Sequence, residues 1–406
     1  MSQLRAWQTP AVIIICGCLV AMLGFGPRAA LGLFLTPMSL EHGWGRDVFA
    51  FALAVQMLLW GAGMPFLGAI ADRVGPVRVI WVGTVLYAAG LAWMANATTP
   101  GELFISAGVL IGFGLAGTGL PIVLGAFAKL LPPSWRTLSF GLGTAAGSFG
   151  QFLFSPLAVG LHSAFGWHAA LWIFAVIVLL LFPLALALAV PRSAPAAATA
   201  APQQSVWQAV REASGHRSYL LLTAGYFTCG FQVFFITLHL PAYLVDRGLS
   251  VDVGAWTLAL IGLFNIIGSI AAGYLSEKMP KRYILALIYA LRAVVIAVFI
   301  SLPAHPVTAL IFGAVMGLLW LSTIPPTQGL VAVMFGMRWL TMLAGFAFFS
   351  HQVGGFLGVW LGGVLYEQTG SYDVIWYFTI LLGVLSALIN LPIVEKPVVR
   401  PAAAAA

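Results

Sequence analysis

The chain alternates long apolar runs with short polar connections. Twelve runs reach the roughly 20 residues that a helix needs to cross a bilayer, and we number them span 1 to span 12 in chain order. They lie at residues 11–35, 48–70, 78–97, 103–128, 137–163, 168–190, 219–244, 253–275, 283–302, 306–334, 339–365 and 372–394. This pattern predicts an all-α membrane protein with twelve transmembrane helices.

The connection between spans 6 and 7 is longer and more polar than the others. It contains "PRSAPAAATAAPQQS" and then Arg211, Glu212 and Arg217, which is typical of a flexible linker followed by a short surface helix. The predicted domains are therefore an N-terminal six-helix bundle (1–190), a cytoplasmic linker (191–218), a C-terminal six-helix bundle (219–394) and a cytoplasmic tail (395–406).

Composition and charge agree with a membrane protein and predict its orientation. The chain is 61% hydrophobic and only 7% charged, whereas a soluble domain has about a quarter charged residues. If the N-terminus is cytoplasmic, all but four of the 18 Lys and Arg residues lie on the cytoplasmic side. The exceptions are Arg46 and Arg247 outside, and Arg28 and Arg292 within spans.

This asymmetry follows the positive-inside rule. We therefore expect a multi-pass protein of the bacterial inner membrane with both termini cytoplasmic. The net charge of +7 is explained by orientation in the lipid bilayer, and no nucleic-acid partner is expected.

The two halves of the chain resemble each other at an offset of about 204–205 residues. "GAIADRVG" matches "GYLSEKMP", "FGWHAALWIF" matches "TGSYDVIWYF", and "GSFGQFL" matches "HQVGGFL". The glycine pairs in these matches are Gly68 with Gly273, Gly166 with Gly370, and Gly150 with Gly354. A duplicated six-helix unit with a binding site between the copies is an architecture of secondary transporters.

The loop after span 2, "GAIADRVGPVR", resembles the signature motif of the major facilitator superfamily, and the second half carries a degenerate copy. The resemblance implies the major facilitator fold and a monomer. In such a motif the glycine allows two helix ends to approach, and the acid pairs with arginines across the bundle interface. The conformational latch that it implies consists of Gly68, Asp72, Arg73, Gly75, Arg78, Glu277 and Lys278.

Within that superfamily the chain resembles bacterial monocarboxylate and oxalate–formate porters. The similar stretches are "RAALGLFLTPM" in span 1, "LHLPAYLVDRGLS" at the end of span 7 and "LIGLFNIIGSIAAGYLSE" in span 8. Those families commonly place a substrate-binding arginine in span 8, whereas this chain has Asn265 there. A carboxylate would therefore be bound by another residue.

Two arginines lie within spans, and no Asp or Glu lies in the middle of one. Ionisable residues inside the membrane are costly and usually functional. Arg28 in span 1 therefore predicts a site for an anion, since its planar guanidinium suits a carboxylate. The alternatives are that Arg28 extends to the membrane surface or binds carbonyls near Pro27. For Arg292 in span 9, a structural role and a substrate-binding role are equally open.

Other polar residues in the spans complete the candidate site. His351 is the first candidate for proton coupling and His239 the second, because histidine titrates near physiological pH; either could instead be a packing residue. The amide side chains at similar depth either line a polar cavity or bond to neighbouring helices. The substrate-site candidates beside Arg28, Arg292 and His351 are Asn265, Gln352, Gln151, Gln232 and Gln56, with Phe231, Trp320 and Phe348 as aromatic neighbours.

These features predict an alternating-access secondary transporter of a small organic anion. A monocarboxylate such as lactate or pyruvate, moved by proton symport, fits best. Exchange of two anions, export of amphipathic drugs or metabolites, and a transporter-like receptor remain alternatives. We expect neither an enzyme nor a cofactor or metal, because the spans contain no cofactor loop, and Cys16, Cys18 and Cys229 have no metal-ligand spacing.

Overall fold

The computed structural model describes residues 7–190, 205–336 and 339–398, with the side chains of a few of these residues, Asp72 and Arg73 among them, left out. The described part is helical throughout and contains no strand, which confirms the predicted fold class. In the first half the helices are α1 Pro10–Ala29, α2 Leu35–His42, α3 Arg46–Val74, α4 Pro76–Met94, α5 Pro100–Leu103, α6 Ile111–Thr118, α7 Leu120–Leu130, α8 Pro133–Val178 and α9 Leu181–Ala185.

The second half contains the remaining helices and matches the first in order. They are α10 Val206–Ser214, α11 Arg217–Asp246, α12 Val251–Lys278, α13 Lys281–Ser301, α14 Pro306–Leu319, α15 Ile324–Phe335, α16 Leu340–Thr369 and α17 Asp373–Asn390. Helix α10 is the short helix predicted at the end of the linker, and residues 191–204 of that linker lie outside the described residues.

Eleven helical segments of the described residues are long and apolar enough to cross a membrane. One of them, residues 141–188, spans 48 residues, more than twice the length that one crossing requires. Within it Gly166 has φ 81° and ψ 164°, which breaks the helix between predicted spans 5 and 6. A left-handed φ suits glycine because it has no Cβ, so twelve predicted spans and eleven continuous segments describe the same chain.

The internal repeat is visible in the helix packing. Helix α1 packs against α8, and the corresponding pair α11 and α16 packs in the second half. At these contacts Gly150 lies against the backbone of Met22, and Gly354 lies against the backbone of Phe227. A side chain at either glycine would collide with the neighbouring helix, so the matched glycines serve the same close approach in each half.

Two helix pairs join the halves, and they are also related by the repeat. Helix α3 packs against α16, and α8 packs against α12. The interface is tight at the end of the molecule that carries Arg46, where a Cβ on Gly32 would lie 2.6 Å from the carbonyl oxygen of Thr237. We call this the Arg46 end, and the opposite end, where α3 meets α4, the Gly75 end.

The interface between the halves opens toward the Gly75 end. On α3, Gly61 touches Gln352 of α16, but Gly68, two turns further on the same face, has no neighbour within 4 Å of an added Cβ. Gly345 of α16 lies two turns from Gln352 and is equally open, as is Gly141 of α8, two turns from Ser148. The described contacts therefore hold the halves together at the Arg46 end and leave them apart at the Gly75 end.

The predicted latch lies at the open Gly75 end. Gly75 ends α3 with φ 94°, Arg78 and Glu277 are exposed, and Lys278 donates to the Tyr274 hydroxyl. The side chains of Asp72 and Arg73 lie outside the described residues, so the latch stays a prediction.

Candidate functional site

Arg28 lies near the Arg46 end of α1, at the interface between the halves. Its side chain is only 6% exposed, and it donates one hydrogen bond, from Nη2 to the sulfur of Met57 at 2.9 Å. A thioether sulfur is a weak acceptor. The Nε of Arg28 is buried without any hydrogen-bond partner among the described residues. Within the described part of the chain, this guanidinium is therefore a buried cation without a carboxylate counter-charge and with most of its hydrogen-bonding capacity unused.

Aromatic rings cover the faces of this guanidinium. Its Cζ lies 4.4 Å from the ring centroid of Phe234 and 5.7 Å from that of Trp60. Phe234 belongs to α11 and Trp60 to α3, so the cation is held between rings from the two halves. Cation–π contacts stabilise a buried guanidinium partly, but they leave its N–H edge available to an anion.

A small cavity adjoins Arg28 between the two halves. Its volume is about 10 Å³, which is enough for about one water molecule. The walls come from α1, α3, α11 and α16 and include Gln56, Met57, Phe234, Thr237 and Val359. The site is thus closed around Arg28, and a carboxylate can enter only when the side chains or helices around it move.

Trp60 and Phe348 close the cavity on the side of the open Gly75 end. Their ring centroids lie 6.1 Å apart across the interface between α3 and α16. Trp60 lies about one turn beyond Met57, and Phe348 about one turn beyond Gln352, both toward the Gly75 end. The pair therefore lies between Arg28 and the opening between the halves.

His351 lies next to these rings. It is 3% exposed, its ring stacks on Phe348 with centroids 5.6 Å apart, and it contacts Phe234 at 5.4 Å. Its Nδ1 is 3.2 Å from Oε1 of Gln352, while its Nε2 is buried without a partner among the described residues. Arg28 and His351 thus contact the same ring of Phe234 from opposite halves.

Arg292, the second arginine within a span, has a different environment. It is fully buried, and its Nε and Nη2 donate to the carbonyl of Leu319 at 3.1 and 2.7 Å. Nη2 also donates to the carbonyl of Trp320, and Nη1 donates to Oε1 of Gln232 at 3.2 Å. All three nitrogens are bonded to protein acceptors, which agrees with the structural alternative for this residue.

The carbonyls that Arg292 binds belong to a break in span 10. Helix α14 ends at Leu319, and α15 starts at Ile324 with Pro325 in its first turn. The residues between them leave backbone groups without helical partners. Asn265 assists Arg292 here, since its Oδ1 accepts a hydrogen bond from the amide of Leu321 at 2.9 Å.

The amide candidates mostly join helices. Asn265 donates to Ser148 Oγ at 2.8 Å, and Gln151 donates to the carbonyl of Leu258 at 3.1 Å, so both link α8 to α12. Gln232 donates to the carbonyl of Thr379 at 3.1 Å. Gln352 donates to the carbonyl of Met57 at 3.3 Å and links α16 to α3 beside the Arg28 cavity. Of these four, Gln352 is the one that lies next to Arg28 and its rings.

His239 belongs to a network at the Arg46 end. Its Nε2 lies 2.8 Å from the carbonyl of Val359, so Nε2 carries the proton, and its Nδ1 lies 3.1 Å from the Tyr372 hydroxyl. In this tautomer Nδ1 is an acceptor, so the Tyr372 hydroxyl donates to it. The same hydroxyl accepts a hydrogen bond from Arg46 at 3.1 Å.

Arg46 is the centre of this network and was not predicted from the sequence as a site residue. Its guanidinium forms a bidentate pair with Asp246 at 2.6 and 2.7 Å, and its amide donates to Glu367 at 2.6 Å. Because Arg46 belongs to α3 and its partners to the second half, these bonds close the Arg46 end. One sequence signal could have identified it: Arg46 and Arg247 are the only two basic residues expected on the side of the membrane opposite the cytoplasm.

Comparisons with known proteins define the class of this molecule. The Major Facilitator Superfamily matches residues 17–359. YcxA of Bacillus subtilis (strain 168), an uncharacterized MFS-type transporter, is 26% identical over 91% of both chains. Monocarboxylate transporter 13 of Rattus norvegicus is 26% identical over 94% of this chain and 88% of its own. The 4-hydroxybenzoate transporter PcaK of Pseudomonas putida is 26% identical over 96% of this chain and 93% of its own.

A solved structure shows the same fold. A bacterial homologue of the human lysosomal transporter Spinster, in an inward-facing and unoccupied conformation, superimposes with a TM-score of 0.76 at 16% identity, covering 96% of this chain and 97% of its own. The chain therefore belongs to the Major Facilitator Superfamily, as its sequence motif predicted. It is a multi-pass membrane transporter and not an enzyme.

Proposed function

We propose that the protein transports a monocarboxylate across the bacterial inner membrane, by symport with protons and as a monomer. The observation that carries this proposal is Arg28, a buried guanidinium at the interface of the halves with no Asp or Glu beside it among the described residues. An unpaired buried cation is unfavourable, and a carboxylate from solution would supply the missing charge and accept two parallel hydrogen bonds.

The relatives support the same class of substrate. By their names, one group moves monocarboxylates and another 4-hydroxybenzoate, and each of these substrates bears a single carboxylate. Lactate and pyruvate are therefore the first candidates from the sequence. A neutral or cationic drug would leave Arg28 unpaired, which disfavours the exporter alternative.

The halves would move around Arg28 during transport. In this structure the Arg46 network closes one end and the opposite end is open. With the orientation expected from the basic residues, the open end would face the cytoplasm and the closed end the periplasm. Loss of the Arg46–Asp246 pair would open the other end, which is the alternating access that two related bundles permit.

His351 is our candidate for coupling to protons. Its Nε2 has no hydrogen-bond partner among the described residues, and its ring contacts Phe234, which also contacts Arg28. A carboxylate bound at Arg28 and a proton on His351 would attract each other beside the ring of Phe234. Substrate and proton would then bind cooperatively.

Uptake by proteoliposomes tests the proposal. Radiolabelled pyruvate, lactate and benzoate would be offered with and without an inward proton gradient, to wild type, Arg28→Gln and His351→Gln, with Arg211→Gln as the control that removes an exposed cation. We expect gradient-stimulated uptake in wild type and Arg211→Gln, no uptake in Arg28→Gln, and uptake insensitive to the gradient in His351→Gln.

Two results would contradict the proposal. If folded wild type takes up none of these acids, the monocarboxylate class is wrong. If uptake requires an internal anion and ignores the gradient, the protein is an exchanger, and symport is wrong.

A further inference from the structure

Three buried polar atoms lie beside one aromatic cluster, and this combination favours a substrate larger than lactate. The atoms are Arg28 Nε, Trp60 Nε1 and His351 Nε2, and none has a hydrogen-bond partner among the described residues. The cluster consists of Trp60, Phe234 and Phe348, with Trp60 in contact with both phenylalanines at 6.2 and 6.1 Å.

We propose that the substrate is an aromatic monocarboxylate whose carboxylate binds Arg28 and whose ring lies among Trp60, Phe234 and Phe348. This inference rests on the proposed function above and specifies its substrate class. When a carboxylate is bonded directly to a ring and binds Arg28, the ring lies next to Arg28 and its aromatic neighbours. Two of these rings, Trp60 of α3 and Phe234 of α11, contact Arg28, and Phe348 of α16 contacts Trp60.

The rings would add affinity that a small aliphatic acid does not receive. Aromatic pairs contribute beyond the burial of their area, roughly 2- to 10-fold for each favourable contact. Lactate and pyruvate have no ring that could stack in the aromatic cluster once their carboxylate is bound. A flat apolar ring would replace contacts that Trp60 and Phe348 now make with each other across the interface.

His351 adds a preference for a polar group on the ring. Oε1 of Gln352 is an acceptor, because the amide nitrogen of that side chain donates to Met57. His351 Nδ1, 3.2 Å from this oxygen, therefore carries the proton, and in the neutral imidazole Nε2 is then an acceptor. The thiol of Cys229 also interacts with the His351 side chain, but a thiol is a weak donor. A ring hydroxyl, held away from the carboxylate by the ring, would be a stronger donor to Nε2.

The closed cavity predicts how such a substrate enters. Because only about 10 Å³ is free beside Arg28, the ring must separate the Trp60–Phe348 contact, which faces the open Gly75 end. Phe348 is half-buried, so its side chain has room to rotate toward that opening. The pair would thus act as the inner barrier and as part of the ring site.

Titration of the purified full-length protein in detergent by isothermal calorimetry tests the inference. The ligands are benzoate, 4-hydroxybenzoate, cyclohexanecarboxylate, lactate and benzamide. We expect benzoate to bind at least about 10-fold more tightly than lactate and about 3-fold more tightly than cyclohexanecarboxylate. Benzamide, which has the ring without the charge, should not bind, and the hydroxyl should add affinity in wild type but not in His351→Leu.

Matched leucine variants locate the ring. Phe348→Leu should weaken benzoate about 3- to 10-fold and leave lactate unchanged. The control is Phe378→Leu on α17, which is 44% exposed and packs against Phe231, and it should change neither ligand.

The outcomes separate this inference from the proposed function. If lactate binds as tightly as benzoate, or if Phe348→Leu affects both acids equally, the aromatic class is wrong and the monocarboxylate proposal stands. If folded wild type binds no carboxylate, both are wrong.

Discussion

The two arginines inside the predicted spans are equally deep in the protein but differ in their partners. Arg292 is fully buried, and its three nitrogens reach two backbone carbonyls and Gln232. Arg28 is 6% exposed, and its hydrogen bond goes to the sulfur of Met57. The two arginines thus share residue type and burial, and the use of their N–H groups is what distinguishes them.

Replacing each arginine by methionine should produce the largest contrast. Arg292→Met leaves the carbonyls of Leu319 and Trp320 without donors, and we expect a loss of about 2–4 kcal/mol of stability. Arg28→Met removes a buried cation that has few bonds, so its stability should be unchanged or higher. The midpoint of thermal unfolding in detergent, followed by size-exclusion chromatography, measures both. Equal losses would remove the distinction between the two sites.

Removing one hydrogen-bond partner of each arginine sharpens the comparison. Gln232→Leu takes an acceptor from Arg292 and leaves Nη1 buried and unpaired, so we expect a loss of about 1–3 kcal/mol. Met57→Leu removes the sulfur acceptor of Arg28 at nearly constant volume, and less than about 1.5 kcal/mol should be lost. The same thermal assay measures both variants. A larger loss for Met57→Leu would mean that Arg28 depends on its protein contacts.

A third arginine, Arg46, extends the comparison to an ion pair near the surface. Its side chain is 13% exposed and that of Asp246 is 29% exposed, so solvent weakens their attraction. Asp246→Asn should lower stability by about 1 kcal/mol at most.

The same variant should act more strongly on conformation than on stability. A cysteine introduced at Ala50, which is buried at the Arg46 end, should react faster with a water-soluble maleimide in Asp246→Asn than with Asp246 present. Equal rates of labelling would show that the Arg46 network does not hold this end closed.

Much of the fold followed from the sequence because membrane spans are continuous and apolar. The repeat was also readable, since Gly150 and Gly354 take part in the same close helix contact in each half. The break within span 10 agrees with Pro325, which lies in the first turn of α15. Twelve spans were predicted but eleven continuous helical segments are found, because spans 5 and 6 are joined at Gly166, where a single residue turns the chain.

The candidate site was predicted only in part. Arg28 stood out because a charge in an apolar run is rare, and Phe348 was identified with it. Phe231 and Trp320 lie elsewhere, since Phe231 packs on Phe378 and Trp320 lies at the break beside Arg292. Trp60 and Phe234 were missed. In a helix that is apolar on every face, sequence periodicity does not show which face meets the other half.

The most direct test of the central claim is the stabilisation of the protein by carboxylate. A ligand present at 100 times its dissociation constant stabilises the folded state by about 2.7 kcal/mol. Thermal unfolding of wild type and Arg28→Gln would be followed with and without a saturating concentration of benzoate. We predict a higher midpoint in wild type with benzoate and no change in Arg28→Gln. An equal shift in both proteins would contradict the assignment of Arg28 as the carboxylate-binding residue.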